Sequence, residues 1–184
     1  MNLNALPRMA DRLSGNAALA SLACKYNELT ELDLSGCSAL KELICANNAL
    51  SELDVSSCTA LSELVCSGNR LASLDVSNNK SIIQIACGSN ELSGKLDLSN
   101  NPTLVMLSLR ENGLSELNVS GCSALKELEC HDNALTKLDI TNCARLEYVY
   151  CRYNRLSSVD CTGCPLLDIT ADEGVELIGW HGGN

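Results

Sequence analysis

Apolar residues in this chain recur on one long, fixed period. Cys24, Cys45, Cys66 and Cys87 stand 21 residues apart, as do Leu109, Cys130 and Cys151. The step from Cys87 to Leu109 is 22 residues, and the extra residue falls at about Gly94, where Leu92 and Leu96 are four apart instead of three. An asparagine follows each of these positions by three: Asn27, Asn48, Asn69, Asn90, Asn112, Asn133 and Asn154. From Leu40 to Ala60 the unit reads L-x-x-L-x-C-x-x-N-x-L-x-x-L-D-V-S-x-C-x-A. A period of this length marks a chain wound into stacked coils that each bury one apolar side against their neighbours.

The unit has two similar halves, because L-x-x-L-x-C-x-x-N is echoed ten residues later by L-x-x-L-D-V-S-x-C, so each coil turns twice. Apolar and polar positions alternate within each half, the period of a strand with one buried face. Stacking then pairs each strand with its copy in the next coil, parallel and about 4.8 Å away. The predicted fold is a β-rich solenoid, a flattened right-handed superhelix occupying residues 19–166, with seven coils starting near residues 19, 40, 61, 82, 104, 125 and 146. Leu3, Leu6, Met9 and Leu13 recur at helical spacing, which predicts a short helical N-terminal cap within residues 1–18, ending at Gly15 and broken near Pro7. Residues 167–184 are expected to form an irregular C-terminal cap, with Val175, Leu177 and Trp180 as the lid.

The repeat resembles the 21-residue, cysteine-ladder class of bacterial leucine-rich repeats found in internalin-type and related surface proteins, over roughly Leu19 to Leu166. The resemblance implies a recognition module of a secreted or surface-anchored protein. It says much about fold and little about a ligand.

Composition agrees with a narrow tube. Hydrophobic residues make up 46% of 184, yet Phe is absent, so the interior is filled by aliphatic side chains of nearly one size. The formal charge of −10 argues against nucleic acid or an anionic membrane as partner, since both demand a basic face. The segment from Met1 to Cys24 lacks an apolar run of signal-peptide length, and no run approaches a membrane span. A soluble monomer is expected, provided that both ends are closed.

Twelve cysteines would suggest disulfides or zinc if spacing were ignored. Spacing assigns them to two columns. In the first, Leu109 replaces Cys; in the second, Cys37, Cys58, Cys122, Cys143 and Cys164 alternate with Asn79 and Asn101. In-register parallel neighbours also hold their Cβ atoms near 4.8 Å apart, farther than the roughly 3.8 Å a disulfide prefers. Buried free thiols are therefore predicted, and the C-x-x-C of Cys161 and Cys164 falls on repeat positions rather than in a redox motif. Asp33, Asp54, Asp75, Asp97, Asp139 and Asp160 form an outward column that invites a calcium reading. Asn118 interrupts it and the glycine-rich turns of calcium-binding rolls are missing, so hydrogen bonds to nearby backbone and hydroxyl groups are expected instead. His131 lies near Ser108 by coil distance, but no strained turn or oxyanion donors are predicted around that serine; Glu127, Glu129 and His131 share one exposed strand face at a spacing that resembles metal ligands, for which a solvated charged face is the commoner reading. No enzyme, cofactor or metal is expected.

Function must then reside in the columns that vary from coil to coil. Around the first strand, early coils carry small residues, whereas later coils carry Met106, Arg110, Glu127, Glu129, His131, Asp132, Tyr148, Tyr150, Arg152 and Tyr153; Tyr26 falls in the same columns. Tyr and Arg are enriched at binding hot spots. These residues are the expected binding face for a protein or glycan, strongest at coils 5 to 7. The competing expectation is a spacer or stalk with no ligand of its own.

Overall fold

The computed structural model describes residues 13–181, and over these the chain is a parallel-strand β-solenoid of eight turns. One sheet holds eight strands, β1 (Ser21–Ala23), β2 (Glu42–Ile44), β3 (Glu63–Val65), β4 (Gln84–Ala86), β6 (Met106–Ser108), β8 (Glu127–Glu129), β10 (Tyr148–Tyr150) and β12 (Asp168–Thr170), hydrogen-bonded in that order. On the other side lie β5 (Ser93–Asp97), β7 (Gly113–Asn118) and β9 (Lys137–Asp139) as one sheet, with β11 (Ser158–Asp160) and β13 (Glu176–Ile178) as a second. Residues 3–12 of the expected helical cap lie outside the described residues, and no helix element occurs among those described. Leu13, the last apolar residue of that pattern, is buried against the first coil.

The marked repeat positions owe their constancy to the interior. Leu40, Leu43, Cys45 and Leu50 in the second coil, like Leu125, Leu128, Cys130 and Leu135 in the sixth, are completely buried in one continuous core. From the second coil onward each repeat asparagine is a three-way clamp, whereas Asn27 in the first coil bonds, among the described residues, only the carbonyls of Cys24 and Lys25. Asn69 donates from Nδ2 to the carbonyls of Cys45 (3.1 Å) and Cys66 (2.9 Å) and accepts from the amide of Leu50 at Oδ1 (3.1 Å). Asn133 does the same with Leu109, Cys130 and Leu114. The side chain thus satisfies backbone groups of its own coil and of the one before, which no apolar residue can do.

All twelve cysteines are free and buried. In the second column the thiols of Cys37, Cys122 and Cys143 donate to the carbonyls of Leu13, Leu98 and Val119 at 3.1–3.2 Å. Asn79 reaches the corresponding Val55 carbonyl through Nδ2 at 3.0 Å, which is why Cys and Asn interchange there. Asn101, in the coil with the extra residue, is buried with its Nδ2 unpartnered among the described residues. Burial pushes the thiols of Cys45, Cys143 and Cys151 up to about 12, and those of Cys24, Cys58, Cys122 and Cys161 up to about 11.

The aspartate column closes local turns. The Oδ1 atoms of Asp33, Asp54, Asp75, Asp97, Asp139 and Asp160 accept the amide two residues on, at 2.8–3.1 Å, and Asn118 does so at 2.9 Å. Hydrogen bonds from the Ser35, Ser56, Ser99 and Thr162 hydroxyls and amides hold Asp33, Asp54, Asp97 and Asp160 below the usual carboxylate range.

Two features differ from the sequence expectation. The second half of the coil is a regular strand only from Ser93 onward, not in the first three coils. Across β5, β7 and β9, Lys95 pairs with Glu116 and Glu116 with Lys137, so opposite charges alternate, and Asn118 Nδ2 approaches both Asp97 oxygens at 3.3 Å. In the early coils Glu31, Glu52, Asp33, Asp54 and Asp75 offer only like charges to one another, which opposes close pairing. The register shift in β5 lies between Gly94 and Lys95, where the extra residue was expected.

The second difference is at the C-terminal end, where the tail does not remain irregular. β12 pairs in register with β10, and β13 with β11, adding an eighth turn to the seven coils read from the repeat. Asp172 closes the turn: its two carboxylate oxygens accept the amides of Tyr153 (2.9 Å) and Asn154 (3.1 Å). In earlier coils those amides go to carbonyls of the following coil, as from Tyr26 to Ala46 and from Asn27 to Asn47. Val175 and Leu177 pack on the core, and Trp180 Nε1 donates to the Leu167 carbonyl at 3.1 Å.

Candidate functional site

The eight-stranded sheet places the variable residues in rows. Register aligns Met106, Glu127, Tyr148 and Asp168 side by side, and Ser108, Glu129, Tyr150 and Thr170 in a second row on the same outward face. Between these rows Leu107, Leu128, Val149 and Ile169 point inward and are buried. Residues 21 positions apart in sequence therefore become neighbours at about 4.8 Å.

Arg110, His131 and Arg152 follow in the turn leaving the strand. The next position adopts a left-handed backbone in each of the first seven coils: Tyr26 (φ 57°), Asn47 (56°), Gly68 (68°), Ser89 (53°), Glu111 (54°), Asp132 (54°) and Tyr153 (57°). Glycine or asparagine adopts this conformation cheaply, whereas other residues are strained by roughly 1–2 kcal/mol. Tyr153 nevertheless stands there with 67% of its surface exposed.

Most charged groups on this face are already engaged. Arg110 Nη1 meets Glu111 Oε1 at 2.7 Å, while Ser89 Oγ donates to the other Glu111 oxygen at 2.9 Å. The aliphatic part of Arg110 lies against Gly88, where an added Cβ would come within 2.9 Å of Arg110 Cγ. Ser108 Oγ donates to Glu129 at 2.8 Å, and His131 Nδ1 meets Asp132 Oδ2 at 2.7 Å. Ser108 and His131 are thus bonded to separate carboxylates rather than to each other. Arg152 Nε donates to the Ala171 carbonyl at 3.3 Å.

The structure brings Met106, Arg110, Glu127, Glu129, His131, Asp132, Tyr148, Tyr150, Arg152 and Tyr153 together on adjacent coils. Tyr26 stands apart: six coil steps, roughly 29 Å, separate it from Tyr153, and the Lys25 ammonium lies 5.8 Å from its ring centre. Sequence reasoning missed Asp168 and Thr170, which complete both rows. The signal was Leu167-x-Ile169-x-Ala171, obscured because the step from Val149 to Ile169 shrinks to 20 residues.

The fold and its two thiol columns define a leucine-rich repeat of the cysteine-ladder class. Among the solved structures it matches, the functional domain of InlJ from Listeria monocytogenes, which includes a cysteine ladder, is 28% identical, with 89% of this chain and 45% of that one covered and a TM-score of 0.55. YopM from Yersinia enterocolitica is also 28% identical, covering 89% of this chain and 35% of that one at a TM-score of 0.72. YopM from Yersinia pestis, described as a leucine-rich effector protein, is 27% identical, with coverage of 86% and 44% and a TM-score of 0.73. This chain spans between about a third and a half of those lengths. No family model and no curated protein matches it. No helix among the described residues is long and apolar enough to cross a membrane.

Proposed function

We propose that this chain is a non-catalytic recognition module that binds a protein or glycan through the outward face of the eight-stranded sheet, chiefly at coils 5 to 7. One observation carries the reading: coils with the same interior as their predecessors display, in two aligned rows, Met106, Glu127, Tyr148 and Ser108, Glu129, Tyr150, with the tyrosines 41–45% exposed. Tyrosine rings give large contact area at little entropic cost, and a rigid sheet holds them in place before a ligand arrives. We also read the protein as monomeric and as secreted or surface-located, following its resemblance to internalin-type proteins.

The test is a glycan array and a displayed-peptide library, each probed with the wild type and with the triple variant Tyr148→Ala, Tyr150→Ala, Arg152→Ala. Captured ligands should lose at least tenfold in affinity for the variant while its melting temperature stays within about 2 °C, as expected for exposed positions. Equal capture by both proteins would place the ligand off this face and overturn the reading, and no capture by either would leave the spacer reading in possession.

A further inference from the structure

The cations of the late face are all committed within the molecule. Arg110 is held by Glu111, Arg152 by the Ala171 carbonyl, and Lys126 Nζ by Glu147 Oε1 at 2.7 Å. Most carboxylates are committed as well: Glu129 to Ser108, Asp132 to His131, and Asp172 to two backbone amides. Glu127 and Asp168 differ. Neither side chain accepts a hydrogen bond or an ion pair among the described residues, and register places them on either side of Tyr148.

A tyrosine ring between two unengaged carboxylates is a receptor for a cation. The ring face attracts an ammonium or guanidinium group within about 6 Å of its centre. Carboxylates one strand away on either side, about 4.8 Å, reach the same group. The chain itself shows this chemistry at its other end, where the Lys25 ammonium covers Tyr26 at 5.8 Å. No cation of the described residues covers Tyr148 or Tyr150. The net charge of −10 favours the approach of basic partners at long range.

We infer that Tyr148, flanked by Glu127 and Asp168, receives a lysine or arginine side chain of a protein partner, so that the partner presents a basic segment to coils 6 to 8. This rests on the recognition reading above and gives the partner its chemistry. The aliphatic stem of the incoming side chain lies along the tyrosine ring while its charged end sits between the carboxylates, an arrangement suited to amphipathic Lys and Arg.

The experiment pans a random displayed-peptide library on the intact chain and measures the selected peptides by fluorescence polarisation. The expected result is enrichment of Lys or Arg at one peptide position. Affinity should then fall about fivefold or more with Tyr148→Leu, with Glu127→Gln and with Asp168→Asn. It should survive Tyr148→Phe, which keeps the ring, and should be unchanged by Glu31→Gln and Glu52→Gln, which remove charge away from this sheet. Unaltered melting temperatures show that each variant is folded. Peptides that require Tyr150 and Arg152 but lack a basic residue would overturn the cation site and leave the recognition face standing. Equal losses from Glu31→Gln and Glu127→Gln would reduce the effect to net charge and also overturn it. A library yielding no peptide that depends on this face would overturn the cation site, and together with a negative glycan array it would overturn the recognition reading as well.

Discussion

Coils 2 and 3 and coils 6 and 7 are built from the same interior and show different exteriors. Leu43, Cys45, Leu64 and Cys66 match Leu128, Cys130, Val149 and Cys151, all buried to within 1% of complete. Outside, Ile44, Ala46, Val65 and Gly68 occupy positions taken later by Glu129, His131, Tyr150 and Tyr153. The interior is constrained because every coil must fill the same volume and satisfy the same carbonyls. The exterior bears no such requirement, so its variation has been free to serve recognition. On the second side the comparison reverses into structure: alternating Lys95, Glu116 and Lys137 accompany a ladder, and the like charges of the early coils accompany none.

The interior should fail in both halves together under alkali, the largest effect expected. Native thiols raised to about 11–12 stay protonated while the same groups in the unfolded chain ionise near their ordinary pKa of about 8.5. The native state then holds more protons. Stability is complete below about pH 8.5 and falls as pH rises toward the native values, at about 1.4 kcal/mol per pH unit for each such thiol. Circular dichroism against pH should show one cooperative unfolding transition between about pH 9 and 11. Separate transitions for the two halves would break the comparison.

The charge account of the second sheet is tested by exchanging its features. Asn118→Asp should destabilise by about 0.5–1 kcal/mol, with added salt restoring part of the loss. Glu52→Gln, which removes the like charge beside Glu31, should stabilise by a few tenths of a kcal/mol and slow amide exchange in the adjoining early coils. Identical responses in urea melts would mean that charge does not distinguish the two regions.

The smallest effect concerns the left-handed column. Tyr153→Gly should raise stability by up to about 1 kcal/mol by relieving strain, whereas Asn47→Gly should be nearly neutral. If Tyr153→Gly also weakens capture of a selected ligand, the late face retains tyrosine at a cost in stability that coils 2 and 3, with Asn47 and Gly68 at that position, do not bear. Equal melting shifts for the two variants would remove that distinction.

Much of this architecture was legible in the chain because its causes repeat locally. Asn69 must bond carbonyls of two coils, Cys66 must fit a small inward slot, and Gly94 must absorb an added residue; each requirement recurs or breaks at a fixed spacing that the sequence displays. The eighth turn was hidden because the step shortens to 20 residues on one side and to 18 between Val159 and Leu177 on the other. The role of Asp172 was hidden because a carboxylate there replaces backbone that no repeat position encodes.

The sequence by itself therefore determined the coil, its inward columns and the place of its one irregularity, since side-chain volume and buried hydrogen bonding act within a coil and on its immediate neighbour. Only the tertiary structure decided which exposed residues meet. That Tyr148 lies between Glu127 and Asp168 depends on the register of three separate strands, and register is set by the stacking of the whole interior, not by the exposed residues it brings together.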